Sequence, residues 1–183
     1  VIIMGVSGCG KSTLGALLAG ALDCPFLEGD DFHDTRAVAK MRAGQPLVDD
    51  DRWPWLDRLG AAIGDALMTQ GRVVAACSAL KRGYRARLRE AIGGPVRFVL
   101  LDASADELQR RLSQRSGHYM PVSLLTSQLA TLELPHADEA IVTLDAALPP
   151  ERLSALVQEQ LDTRIRTIGG VAPLGHEPLS PPR

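Results

Sequence analysis

Lysine is nearly missing from this chain. Of its 20 basic residues 17 are Arg, and the three lysines are Lys11, Lys40 and Lys81. A sequence that defaults to Arg keeps Lys where a slim, mobile point charge is wanted, or it shows codon bias alone; where the three fall decides between these. Aromatic residues are also scarce, with three Phe, two Trp and two Tyr. Cysteine is limited to Cys9, Cys24 and Cys77, with no C-x-x-C pair and no Cys/His cluster. That excludes a disulfide scaffold and a structural zinc module, and it fits a reducing, cytoplasmic setting. An excess of one charge is lacking too, the net being −2, so no basic field points to nucleic acid or to an anionic membrane. The longest apolar run, about eight residues around Val73–Leu80, falls far short of the ~20 that span a bilayer. No basic stretch leading into an apolar one opens the chain as written, so no secretory signal is expected.

What is present is the material of one globular domain. A length of 183 residues corresponds to one domain with a little left over, and 45% hydrophobic with 23% charged residues suits a packed core. Short apolar runs predict strands at 1–4, 25–28, 73–77, 96–101 and 140–144. Helical spacing predicts helices at 11–22, 53–68, 82–92, 105–115, 123–132 and 150–161. On the second of these, Leu56, Leu59, Ile63 and Leu67 share one face. Residues 29–51 read as polar and mixed. Strands alternating with helices imply an α/β fold whose parallel sheet of five strands is covered by helices on both faces. Beyond a domain of residues 1–161, Gly169-Gly170 and four prolines in the last 11 residues predict an irregular or disordered tail over 162–183.

The first motif is Gly5-Val6-Ser7-Gly8-Cys9-Gly10-Lys11-Ser12, a full match to G-x-x-x-x-G-K-[ST] between a predicted strand and a predicted helix. Its glycines let backbone N–H groups turn inward around a phosphate, and the helix adds the positive end of its dipole. Lys11 is expected to reach the β- and γ-phosphates, and the Ser12 hydroxyl to ligate Mg²⁺. The motif establishes nucleotide phosphate binding and leaves the reaction open: hydrolysis coupled to motion, a nucleotide switch, or transfer to a small acceptor.

The remaining residues favour transfer. No N-K-x-D base-reading motif is present, and the Asp57-x-x-Gly60 match lies on an amphipathic helix. Val99-Leu100-Leu101-Asp102 has the form of a motor-ATPase strand ending in Asp and reads as structural. Acids cluster instead at Asp30-Asp31 and at Asp49-Asp50-Asp51. In an open parallel sheet, ligands bind beyond the C-terminal ends of the strands, so Asp30, after the second strand, lies beside the phosphate loop. A carboxylate there accepts a proton from an attacking hydroxyl or holds Mg²⁺ waters; the competing reading is a cap on the next helix. Asp49 to Asp51 read first as a helix N-terminus. Lys40 and Lys81 fall on segments that rim the same crevice, as do Phe32, His33, Trp53, Trp55 and Tyr119. Arg110, Arg111 and Arg115 precede Ser116-Gly117-His118-Tyr119, and Arg111 and Arg115 share a helical face. An Arg-rich helix running into a glycine loop reads as a closing lid that neutralises charge on a transferred phosphoryl group, or as a solvated basic face.

Taken together, these stretches resemble bacterial gluconokinases of the small P-loop kinase type. The resemblance is carried by residues 5–13 of the loop and by Phe26-Leu27-Glu28-Gly29-Asp30-Asp31-Phe32-His33. Further matches are Ala39-Lys40-Met41-Arg42-Ala43-Gly44, Asp51-Arg52-Trp53-Pro54-Trp55-Leu56, Cys77-Ser78-Ala79-Leu80-Lys81-Arg82 and Gly117-His118-Tyr119-Met120-Pro121. It implies a three-layer fold like that of shikimate and adenylate kinases, with a mobile lid. It also implies ATP-dependent phosphorylation of D-gluconate at its 6-hydroxyl, Mg²⁺ dependence, and a cytoplasmic homodimer. The implied nucleotide site is Gly5, Val6, Ser7, Gly8, Cys9, Gly10, Lys11, Ser12 and Thr13. Implied catalytic residues are Lys11, Asp30, Arg111 and Arg115. The implied acceptor site is Asp30, His33, Lys40, Arg52, Lys81, Arg82 and His118. The family usually places Pro after the histidine and Asn four positions past it, where this chain has Asp34 and Ala37, and Tyr119 stands where Phe is common. Two alternatives remain: a related kinase with another acceptor, such as shikimate or a nucleoside monophosphate, and an ATP-binding regulatory module without transfer. All three lysines lie inside the quoted motifs, which favours the point-charge reading over codon bias.

Overall fold

The computed structural model describes residues 1–113 and 122–169. Its strands are β1 (Ile2–Met4), β2 (Phe26–Glu28), β3 (Val74–Ala76), β4 (Phe98–Asp102) and β5 (Val142–Asp145). Its helices are α1 (Lys11–Ala21), α2 (Thr35–Arg42), α3 (Asp49–Gln70), α4 (Arg82–Ile92), α5 (Ala105–Ser113), α6 (Val122–Thr131) and α7 (Pro150–Gly169). Short 3-10 turns follow β2 at Gly29–Phe32 and precede β5 at Ala137–Glu139.

The sheet has the order β2-β3-β1-β4-β5, with all four pairings parallel. Alternate residues of each strand enter different cores, as the two-residue repeat of a strand requires. Ile2, Met4, Ala75, Cys77, Phe98 and Leu100 pack with Trp55, Leu56, Leu59 and Ile63 of α3 and Tyr84, Leu88 and Ile92 of α4. Ile3, Val74, Val99 and Leu101 pack on the other face with Leu14 and Leu18 of α1, Leu108 of α5, Leu125 of α6 and Leu153 and Val157 of α7. The expected three-layer α/β architecture is therefore present, and β1 at its centre is apolar on both faces. The chain leaves β1 toward β2 on one side and later crosses to β4 on the other. The loop after β1 thus sits where strand order reverses, which is where parallel sheets open a crevice.

Three elements differ from expectation. Residues 35–42 form α2, where a mixed polar segment was expected. Asp34 caps this helix, its Oδ1 accepting from the Ala37 N–H at 2.7 Å. The two positions that depart from the family pattern are thus a helix cap and its partner, and eight residues with one buried side chain, Ala37, leave little periodicity to read. Helix α3 starts at Asp49 rather than Trp53, so all three aspartates lie in its first turn. Helix α7 continues through Gly169, so residues 162–169 are helical where an irregular tail was expected. The spacing of Leu153, Val157 and Leu161 runs on through Ile165 and Ile168, and no proline interrupts it. Residues 170–183 lie outside the described residues.

One buried charge organises the loops at the top of the sheet. Arg85 of α4 has a fully buried side chain. Its Nε and Nη2 donate to Glu139 at 2.6 and 2.8 Å, and its Nη1 donates to the carbonyls of Ala79, Leu80 and Glu133 at 3.3, 3.2 and 3.1 Å. The Glu133 N–H returns to the Leu80 carbonyl at 2.9 Å. The segment after β3 is thereby fixed to the segment before β5. It includes Ala79, which holds a left-handed conformation at φ 42° while fully buried.

Arg85 holds the Glu139 carboxyl down at about 2. A carboxyl depressed in the folded state stabilises fully above its unfolded value, and that contribution is lost as pH falls from about 4.5 toward 2. Glu139→Gln strands the guanidinium and is expected to cost about 3–5 kcal/mol. Urea unfolding at pH 7 measures the loss. The gap between the variant and the parent should narrow between about pH 4.5 and 2.

Candidate active site

The phosphate loop is held open by its backbone. Gly5, Gly8 and Gly10 all have positive φ, at 139°, 86° and 102°. Gly10 is also the N-cap of α1, so the helix begins on Lys11 and points its unpaired N–H groups into the loop. Lys11 Nζ folds back on the Val6 carbonyl at 3.1 Å. Ser12 and Thr13 are exposed on the first turn of α1. Two outside groups brace the loop. The Ser7 N–H donates to Gln128 Oε1 of α6 at 2.7 Å. Arg111 of α5 donates to the Cys9 carbonyl at 3.3 Å and to the Ala146 carbonyl after β5 at 2.7 Å, while its Nε engages Glu107 at 2.6 Å. Cys9 is buried, and burial pushes its thiol pKa up, so it has the character of an inert packing residue.

Asp30 follows β2 in the first 3-10 turn, with its side chain 82% exposed. Gly29 before it must be glycine, because a Cβ there would lie 2.3 Å from the Ala76 carbonyl oxygen. The Gly29 carbonyl accepts from Trp55 Nε1 at 2.7 Å. His33 closes the turn, stacked on Trp55 with ring centroids 4.2 Å apart. Its Nε2 lies 4.0 Å from Asp30 Oδ1. Its side chain is 3% exposed, and its buried Nδ1 has no hydrogen-bond partner among the described residues. Burial lowers its pKa, opposed by Asp30 and aided by Arg52 and Arg58, so the ring is neutral near pH 7. An open cleft of about 650 Å³ adjoins it, lined also by Thr35, Val38, Ala39, Arg42 and Ala43.

The remaining charges gather at the start of α3. Lys81 Nζ donates to both Asp49 oxygens, at 2.7 and 3.0 Å, and the Tyr84 hydroxyl donates to Asp49 Oδ1. Arg52 lies over the Tyr84 ring at 5.5 Å and Lys81 at 5.4 Å, with Trp53 edge-on to the same ring. Lys81 and Tyr84 hold the Asp49 carboxyl below the usual range. Cys77 follows β3 and is buried. Burial raises its thiol to about 12, and Lys11 and Arg52 pull that value down while Asp30 pushes it up.

Two further expected site residues are paired within the protein. Lys40 is bound to Asp51 at 2.6 and 2.7 Å, and Asp51 also accepts from the Val48 N–H, closing the first turn of α3. Arg82 is tied to Asp138 at 2.6 Å, and its N–H bonds Glu133. Arg115 and His118 lie outside the described residues. Sequence reading missed Arg85 and the role of Asp49. The signal for Arg85 was its place beside Tyr84, three residues before Leu88, on the apolar face of an otherwise basic helix. No group of three or more His, Cys, Asp or Glu able to hold a metal occurs among the described residues. The exposed Ser12 hydroxyl instead offers a lone oxygen donor, which suits a Mg²⁺ held mainly by phosphates and water. No described helix is long and apolar enough to cross a membrane.

A parallel sheet of five strands with a phosphate loop at its switch point defines the P-loop kinase fold. Residues 1–135 match the family model described as "AAA domain". The chain is 45% identical over 151 residues to a gluconokinase of Gluconobacter oxydans (strain 621H), covering 82% of this chain and 84% of that one. The solved gluconokinase of Sinorhizobium meliloti 1021 superposes with a TM-score of 0.80 at 44% identity, over 92% of this chain and 96% of that one. A shikimate kinase from Bacteroides thetaiotaomicron, 18% identical, shares the fold at a TM-score of 0.63 over 88% and 97% of the two chains. The chain belongs to the gluconokinase family.

The loop geometry makes a direct prediction. Gly10→Ala forces a side chain into φ 102°, a strain of about 1–3 kcal/mol. Calorimetric titration with a non-hydrolysable ATP analogue should show at least a tenfold loss of affinity.

Proposed function

We propose that the protein transfers the γ-phosphoryl group of ATP to the 6-hydroxyl of D-gluconate, giving 6-phosphogluconate and ADP. The observation that carries this reading is that the phosphate loop and the exposed Asp30 lie at the same edge of a parallel sheet, in a chain whose relatives are gluconokinases. The nucleotide phosphates lie along residues 5–13, against the loop N–H groups and Lys11 Nζ. Ser12 would hold Mg²⁺, which would neutralise charge on the nucleotide phosphates when bound. Asp30 accepts the proton of the 6-hydroxyl as that oxygen bonds to phosphorus and the bond to the bridging oxygen of ADP breaks. His33 offers its unpartnered Nδ1 to an acceptor hydroxyl. Lys81 and Arg52 face the acceptor's carboxylate, while Lys40, held by Asp51, links α2 to α3. Arg111 braces the loop and reaches phosphoryl oxygens as α5 closes, joined by Arg115 and His118 of the lid. The catalytic unit is residues 1–161. A cytoplasmic homodimer completes the reading on the strength of the family resemblance alone.

An ADP-release assay across gluconate, shikimate, nucleoside monophosphates and neutral sugars tests the acceptor, with the product identified by mass and NMR. Gluconate should give the highest kcat/KM, and equal turnover of shikimate would refute the assignment. Asp30→Asn should lower kcat by about 10²–10⁴-fold while ATP-analogue affinity stays within about twofold.

A further inference from the structure

The three aspartates that open α3 are used in different ways. Asp51 is 12% exposed, and its two oxygens are shared between Lys40 and the Val48 N–H. It is a fixed latch. Asp49, two residues earlier, is 46% exposed and sits in a receptor made by groups from other elements. Lys81, the residue before α4, gives a cation to both of its oxygens. Tyr84 gives a hydroxyl. Arg52 adds a second cation, poised over the Tyr84 ring and acting on Asp49 through its charge.

A cation, a phenol and a nearby guanidinium around one carboxylate form a binding site for a carboxylate in general. The cradle does not depend on Asp49 for its shape. Tyr84 is 1% exposed, in the core shared by α3 and α4, and the backbone of the Ala79–Lys81 segment is fixed through the carbonyl bonds of Arg85. The occupant, by contrast, is the first residue of its helix, preceded by the exposed Val48. Exposed ion pairs add little net stability, so another carboxylate can replace this one at small cost. A hydroxyl cannot, because it brings no charge to the lysine that it would strip of its partner.

Resting on the gluconate reading above, we propose that Asp49 is an internal stand-in for the acceptor's carboxylate. It fills the Lys81–Tyr84–Arg52 cradle when no acceptor is bound and yields to a carboxylate-bearing acceptor, whose apparent affinity it thereby sets. Asp49 competes with the substrate for this cradle.

The test compares wild type with Asp49→Asn on gluconate and on D-glucitol, the same carbon chain with the carboxylate reduced to an alcohol. In Asp49→Asn the gluconate KM should fall about fivefold with kcat within about twofold. Glucitol, which does not displace Asp49, should gain less than twofold, so the kcat/KM preference for gluconate over glucitol should rise by a similar factor. A residue that merely supports the helix or positions Lys81 would raise KM or leave it unchanged, and either result overturns the proposal, as does an unaltered preference. Should Asp49→Asn fail to fold, Asp49→Ser, which keeps a favourable helix-start residue, is read by the same criteria. A wild-type protein with no gluconate turnover would refute the reading on which the proposal rests; wild-type turnover with an unresponsive Asp49 variant refutes the proposal alone.

Discussion

The buried guanidinium of Arg85 is the interaction on which the upper edge of this molecule depends. A fully desolvated charge is tolerable only when its donors are matched, and here they are matched by Glu139 and three backbone carbonyls. Those carbonyls belong to segments far apart in sequence, Ala79–Leu80 after β3 and Glu133 after α6. Their burial leaves the Ala79–Lys81 turn little freedom, even with a non-glycine residue in the left-handed region at Ala79. Lys81 follows directly on that turn. The position of Lys81 is therefore set by a salt bridge in which it takes no part.

Below that edge, the sheet does the rest. Its two faces demand two apolar layers, and placing β1 between β3 and β4 puts the phosphate loop at the reversal point. The ends of β2 and β3 then lie on one side of the loop. Asp30, Lys81 and the cradle at the start of α3 are carried there, while the ends of β4 and β5 and helix α5 flank the other side with Arg111. The groups on the two sides of the loop separate because the chain can leave β1 in only two directions.

The site is a set of charges already satisfied by the protein itself. Lys11 rests on a loop carbonyl, Lys40 on Asp51 and Lys81 on Asp49, and Arg111 bridges Cys9, Ala146 and Glu107. The unpartnered Nδ1 of His33 stands apart from these, buried on Trp55 beside an open cleft. Internal pairing keeps the flexible cations in place without ligands.

The sequence by itself determined the phosphate loop, the alternation of strands and helices, and the family. Each of these is local: a glycine pattern read by backbone conformation, apolar runs of strand length, and contiguous motifs. The five strands and most helices were legible for the same reason. Helix α2 escaped because a short polar helix has almost no buried face, and its cap, Asp34, was visible only as a departure from the family pattern. The end of α7 escaped because Gly169-Gly170 and the prolines beyond drew attention from a periodicity that ran on to Ile168. What the tertiary structure alone decided is which charges meet. Lys40 and Lys81 read alike in sequence as cations on the rim, yet one is an inner latch and the other part of an open cradle. Asp49 and Asp51 differ in the same way, and Arg85 looks like any other arginine of a basic helix until burial singles it out. Partner choice among charges depends on distances between residues tens of positions apart, and only the packed sheet fixes those.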